Sequence, residues 1–136
     1  MAFRPIQFDS GKLIKMPVTD ATEVTKGDAM WYDSTTGYLK LGTTGTTNVT
    51  HVAQETVTTT SAGQKVLCID VNGVKFEADT TDAPVVADDV GTLADLTNEY
   101  ALALGTSTHD VFYVERVKMP LTDKKVVGYF RQQTDA

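Results

Sequence analysis

Thr and Val together supply 38 of the 136 residues. Nowhere do ten or more consecutive residues carry apolar side chains at a 3.6-residue period. β-Branched side chains lose χ1 freedom in a helix and suit a pleated sheet. The best helical candidate is one turn at Asp20-Ala21-Thr22-Glu23, with Asp20 as cap and Glu23 three residues on. The chain therefore reads as all-β: a small β-barrel or sandwich of about ten short strands, preceded by an extended N-terminal arm.

The sharpest local signal is Asn72-Gly73, which separates residues 65–71 from residues 74–77. Asn-Gly favours a type I′ turn, so these two runs are expected to pair as a hairpin. Val74 and Phe76 alternate with Lys75 and Glu77, which buries one face. Val66-Leu67-Cys68-Ile69 is apolar on both faces and predicts a central strand. A second hairpin is expected across Asp33-Ser34-Thr35-Thr36-Gly37, joining residues 29–32 to 38–41. Further strands are placed at 49–57, 90–94, 100–104, 110–118 and 124–131. Residues 42–47 and 58–63 are polar low-complexity loops.

The length fits one domain at 12–136 behind an arm at 1–11. Phe3, Pro5, Ile6 and Phe8 make that arm apolar without a regular pattern. It either packs on its own domain or is lent to a neighbour. No run approaches the roughly 20 apolar residues of a membrane span, and Met1-Ala2-Phe3-Arg4-Pro5 lacks the apolar core of a secretory signal. The charge is segmented within a net of −6. Residues 1–75 carry seven bases and seven acids, residues 76–115 nine acids and no base, and residues 116–136 five bases and two acids. A stretch of 40 residues without Lys or Arg argues against nucleic-acid binding. It reads as a solvated acidic face, or as a patch that meets a basic partner. Its portion at 78–89, which contains Pro84, reads as a linker between two halves.

Catalytic and metal constellations are sparse. Cys68 is the only cysteine, which excludes an internal disulfide and a Cys-based zinc site, and its apolar setting predicts an inert core thiol. Ser107, His109 and Asp110 are triad residue types, but neighbours on an extended chain do not converge as a triad. His51 and His109 would need a shared carboxylate to bind metal. Asp88-Asp89 offers oxygen ligands without a calcium-loop pattern. No phosphate-binding glycine motif is present. A lone Trp31 gives little sign of a sugar cleft, and Asn48-Val49-Thr50 is a glycosylation sequon that is silent without a secretory signal. No cofactor is expected, and the chain does not read as an enzyme.

Two self-similarities mark the chain. Residues 14–24 match residues 117–127 at six of eleven positions, including Lys-Met-Pro and Thr-Asp. Val24, Asp33, Thr35 and Tyr38 match Val86, Asp95, Thr97 and Tyr100 at an offset of 62. The plainer reading of the first is a strand end followed by a turn, since Pro17 and Pro120 lack an N–H and Asp20 and Asp123 can close Asx turns. The alternative is a pair of equivalent contact points on a symmetric partner.

The segment Val24-Thr25-Lys26-Gly27-Asp28-Ala29-Met30-Trp31-Tyr32-Asp33-Ser34-Thr35-Thr36-Gly37-Tyr38 resembles one typical of tailed-bacteriophage capsid decoration proteins, also called cement or head auxiliary proteins. The shared pattern is Lys-Gly-Asp, a hydrophobic–aromatic strand, an Asp-led turn with Gly, and another short strand. The likeness covers roughly residues 12–75, with His51-Val52-Ala53 where the family usually has Gly-Val-Ala. The resemblance implies a non-enzymatic virion protein on the outer surface of the capsid. It would bind the major capsid protein, hold neighbouring subunits together and often form homotrimers. A tail-tube, head-completion or fibre module is the alternative. The residues then expected to touch the capsid or a neighbouring subunit are Phe3, Arg4, Pro5, Ile6 and Phe8 of the arm. Lys15, Met16, Pro17 and Lys118, Met119, Pro120 of the repeats join them.

Overall fold

The structure is a computed structural model that describes residues 2–8 and 10–131. The β-branched residues enter strands, and the chain is all-β as expected. In order the strands are β1 (Phe3–Gln7), β2 (Leu13–Val18), β3 (Glu23–Val24), β4 (Ala29–Asp33), β5 (Tyr38–Leu41) and β6 (His51–Ala53). Then follow β7 (Val57–Thr58), β8 (Gln64–Asp70), β9 (Lys75–Asp79), β10 (Leu93–Asn98), β11 (Ala101–Ala103), β12 (Phe112–Val117) and β13 (Lys125–Phe130). One helical turn, α1 (Val86–Asp89), and two 3-10 turns, Ser10–Lys12 and Leu121–Asp123, lie between them. No helix forms at 20–23: Asp20 does accept the Ala21 N–H, but Ala21 takes φ 51° and turns the chain the wrong way.

Strands β2, β5, β4, β6 and β8 close into a barrel. Its interior is a cluster of Val18, Val24, Met30, Leu39, Ala53, Val66 and Cys68. A six-stranded sheet of order β1-β9-β13-β12-β10-β11 forms the second half, and β3 pairs with β7 alone. The second half repeats the first. In the barrel, β2–β8, β8–β6, β6–β4 and β4–β5 pair antiparallel, and a parallel contact, Val18↔Leu39, closes the ring. In the sheet, β9–β13, β13–β12, β12–β10 and β10–β11 pair antiparallel, and a parallel bridge, Thr80↔Leu102, stands where closure would occur. From Val18 to Thr80 is a step of 62 residues, the offset of the weaker sequence match. The halves share one core: Ala29, Val52, Ile69 and Val71 from the first pack with Phe76, Leu96, Phe112 and Phe130 from the second.

Two expectations about the halves are corrected. Asn72-Gly73 does turn the chain, with the Val74 N–H donating to the Val71 carbonyl at 3.1 Å. Yet β8 and β9 do not pair; β8 lies between β2 and β6, and β9 between β1 and β13. Gly73 has φ 74° while Asn72 stays negative, as in a type II rather than a type I′ turn. The turn is a corner from one half to the other, made so because Val71 and Val74 are both buried in the shared core. The acidic stretch 78–89 consequently does not join the halves. It starts inside β9 and ends in α1, within the second.

The arm takes the first of its two readings and packs on its own domain. Residues 3–7 are extended but belong to the molecule's own sheet as β1, antiparallel to β9 with Arg4 opposite Glu77. The Asp79 N–H donates to the Ala2 carbonyl, and the Phe3 N–H on the other side donates to the Gly27 carbonyl of the first half. Alternation then puts the missing N–H of Pro5 on the side away from β9, where it costs no ladder bond. Gly27 sits directly under this crossing, with φ 96° and a Cβ position that would run into Ala2. Met1 and Asp9, which the expected arm includes, lie outside the described residues.

Candidate interaction surface

The five arm residues divide by depth. Phe3 is 1% exposed and stacks within a ring of phenylalanines, its centroid 5.0 Å from Phe130, which is itself 5.1 Å from Phe112 and 5.2 Å from Phe76. It is therefore core and unavailable to a partner. Pro5 is half-buried, while Ile6 (47%) and Phe8 are exposed.

Arg4 is committed to its own sheet. Its guanidinium meets Glu77 at 2.9 Å and Asp79 at 2.9 Å. Lys118 also holds Glu77, at 2.6 Å, and Lys125 holds Asp79, at 2.6 Å. Burial opposes ionisation of Asp79. Hydrogen bonds from Arg4, Lys125 and the Ala2 N–H overcome it and hold the carboxyl well below the usual range. Lys118 leads the causes that lower Glu77, with Arg4 behind it. Burial likewise works against Arg4, and the two carboxylates outweigh it, so its pKa is raised. This network pins β1 to β9 and β13, and brings the predicted contact residues Arg4 and Lys118 to one carboxylate.

The network also revises the acidic stretch. Glu77 and Asp79 are ion-paired, Glu115 pairs with Lys75, and Asp89 accepts the Val85 N–H. Asp95 accepts the N–H groups of Thr108, His109 and Asp110. Much of that charge holds the fold together and does not form an open face.

The Lys-Met-Pro repeats are not equivalent in space. Lys15, Met16 and Pro17 run along β2 opposite Leu67, Val66 and Lys65. Lys118, Met119 and Pro120 follow β12 in the bend that leads to β13, where Met119 is 66% exposed. What the repeats share is the turn after them: Ala21 and Lys124, each following Thr-Asp, both take a left-handed conformation, with φ 51° and 56°. The repeat encodes a turn, as the plainer reading had it.

The remaining chemical candidates serve the fold. Ser107 donates to Asp110 inside the loop that Asp95 organises. His51 lies beside Thr50, and burial lowers its pKa against the pull of Asp70. Cys68 is fully buried, and burial, with Glu55 next, pushes its thiol up to about 12. Asp28 accepts the Thr25 N–H in an open cavity of about 680 Å³ that Glu23, Glu99 and Tyr100 also line. Burial pushes its carboxyl up to about 6; the Thr25 N–H works against this, and Glu99 and Glu23 add to it. Among the described residues, no group of three or more His, Cys, Asp or Glu is placed to hold a metal ion, and no helix is long and apolar enough to cross a membrane.

The feature most open to a partner joins two residues expected from the sequence, Ile6 and Phe8, to two that sequence reasoning missed, Leu13 and Ile14. Leu13 and Ile14 (46%) are exposed at the start of β2, so Ile6, Phe8, Leu13 and Ile14 stand within nine residues, on both sides of the Ser10–Lys12 turn. Consecutive large apolar residues on opposite faces of a strand ordinarily signal burial on both. Here, among the described residues, β2 is a strand whose second flank is unpaired over residues 13–16, since its pairing with β5 is at Val18. Comparison with protein-family models, with curated proteins and with solved structures finds no match for this chain.

Proposed function

We propose that this chain is a structural β module of a tailed-phage virion. It binds the outer surface of the head and cements neighbouring major capsid subunits, acting as an oligomer, with a trimer favoured. The observation that carries this is the run of exposed apolar residues at 6–14, beside a strand flank that is unpaired among the described residues. Large exposed apolar residues grouped on a small domain mark an interaction site. A modest contact repeated over several subunits gains strength through avidity. The resemblance of residues 24–38 supports the same reading. Partner contact then falls to Ile6, Phe8 and the residues of β2, with Met119 as a separate point.

The test is sedimentation of the purified protein with expanded, undecorated heads and with unexpanded proheads of its source virus. Saturable binding at many copies, to expanded heads only, is expected. The Ile6→Ser, Phe8→Ser, Ile14→Ser triple variant should stay folded and fail to co-sediment. Binding to neither particle, or wild-type binding by the triple variant, would sink the proposal.

A further inference from the structure

We infer that the open flank of β2 is an acceptor for an extended segment of another protein, one that carries a carboxylate opposite Lys15. The inference goes beyond the capsid reading, because it requires a partner strand of this chemistry and no particular particle.

The internal repeat supplies the reasoning. β2 is the counterpart of β9, with Leu13, Ile14, Lys15 and Met16 in the places of Lys75, Phe76, Glu77 and Ala78. In the second half that stretch of β9 is covered by β1. In the first half, among the described residues, β2 pairs only with β8 along its length and with β5 at Val18. The repeat therefore has one strand position filled and its equivalent vacant.

The backbone is set for addition. The Gly63 N–H donates to the Val18 carbonyl, on the β8 side, and the Thr19 N–H donates to the Leu39 carbonyl, on the other. Alternation then directs the backbone groups of Leu13 and Lys15 to the open side. Pro17 takes the place of Asp79, whose N–H binds β1 through Ala2. Its missing donor ends the usable flank, so an incoming strand engages residues 13–15. Unpaired edges of this kind accept strands by backbone hydrogen bonding, and side chains set the choice of partner.

Charge selects the occupant. In the filled position Arg4 stands opposite Glu77, an opposite-charge cross-strand pair. Lys15 replaces Glu77 in the vacant one, so the sign is reversed and a carboxylate belongs opposite it. A second copy of β2 fits poorly: antiparallel self-pairing gathers Lys12 and Lys15 of both chains, and residues 11–19 hold no acid.

The experiment is an amide chemical-shift titration of the full chain with two synthetic peptides. One has the sequence of residues 2–8, and the other is the same peptide with Arg4→Glu. The Arg4→Glu peptide should shift the Leu13 and Lys15 amides saturably and bind about fivefold more tightly than its parent. Lys15→Glu in the protein should reverse that preference. Lys15→Pro should abolish binding while the β8 amides stay protected, because position 15 donates outward as position 17 would. The inference is overturned if neither peptide shifts residues 13–16, if shifts map elsewhere, or if the preference survives Lys15→Glu. It is also overturned if sedimentation shows a dimer that already protects the Leu13 and Lys15 amides.

Discussion

Phe3→Ala tests whether the first strand is part of the core. Phe3 lies at 1% exposure against Phe130, whose ring also touches Phe112 and Phe76. Truncating a buried Phe costs about 3–5 kcal/mol, including the cavity left behind. At roughly 4 °C per kcal/mol for a chain of this size, Tm should fall by roughly 12–20 °C. Ile6, on the same strand but 47% exposed, is the control, and Ile6→Ala should stay within about 0.5 kcal/mol of wild type. Urea unfolding would follow Trp31 fluorescence for the first half and the near-UV signal of the Tyr113–Tyr129 pair, centroids 5.2 Å apart, for the second. Because the halves share a core, both probes should shift together. A loss below about 1 kcal/mol for Phe3→Ala would refute the docking of β1. A shift in the tyrosine signal alone would refute the shared core.

Gly27→Ala should destabilise by about 1–3 kcal/mol in the same urea assay, since it adds a methyl at φ 96° in the path of Ala2. Asp28, raised to about 6, holds its proton more tightly folded than unfolded. Its ionisation therefore costs stability above that pH, and the cost fades as pH falls from 6 towards 4. Asp28→Asn should accordingly stabilise the protein at pH 8 and much less at pH 4.5, read as the difference in urea midpoints; an equal effect at both would discount the ionisation. Cys68 should resist a thiol reagent at pH 8 in the native state and react fully in denaturant, and rapid native labelling would contradict its burial.

Much of the strand content was legible because alternation survives in single residues. Asp33 and Tyr38 do bracket the hairpin of β4 and β5. The two apolar faces of residues 66–69 are explained by the fold: Val66 and Cys68 fill the barrel, while Ile69 faces the shared core. The hairpin at Asn72-Gly73 failed for a different reason: both hydrogen-bonding edges of β8 are taken, by β2 and β6, and none is left for its successor. β1 was opaque because the register shift between Pro5 and Gln7 breaks the period. The stronger sequence repeat marks a shared turn and the weaker one the duplication, because topology constrains pairing order more than identity, whereas a Thr-Asp turn needs particular residues. The exposed apolar pair at the start of β2 was hardest to see. Exposure of Leu13 and Ile14 depends on which strand lies beside β2, a fact of tertiary pairing that composition does not carry.

The crossing of β1 has a consequence for synthesis. The strands of the first barrel are all contained within residues 13–70, so that ring can close while the rest of the chain is still being made. β1 precedes it in sequence, yet its ladder partner begins at Lys75 and its aromatic neighbour is Phe130. β1 thus leaves the ribosome ahead of the ring and docks after it, and contacts of such long sequence separation form slowly. Until then Phe3 is exposed to water beside a finished ring, transient apolar surface of the kind that chaperones shield.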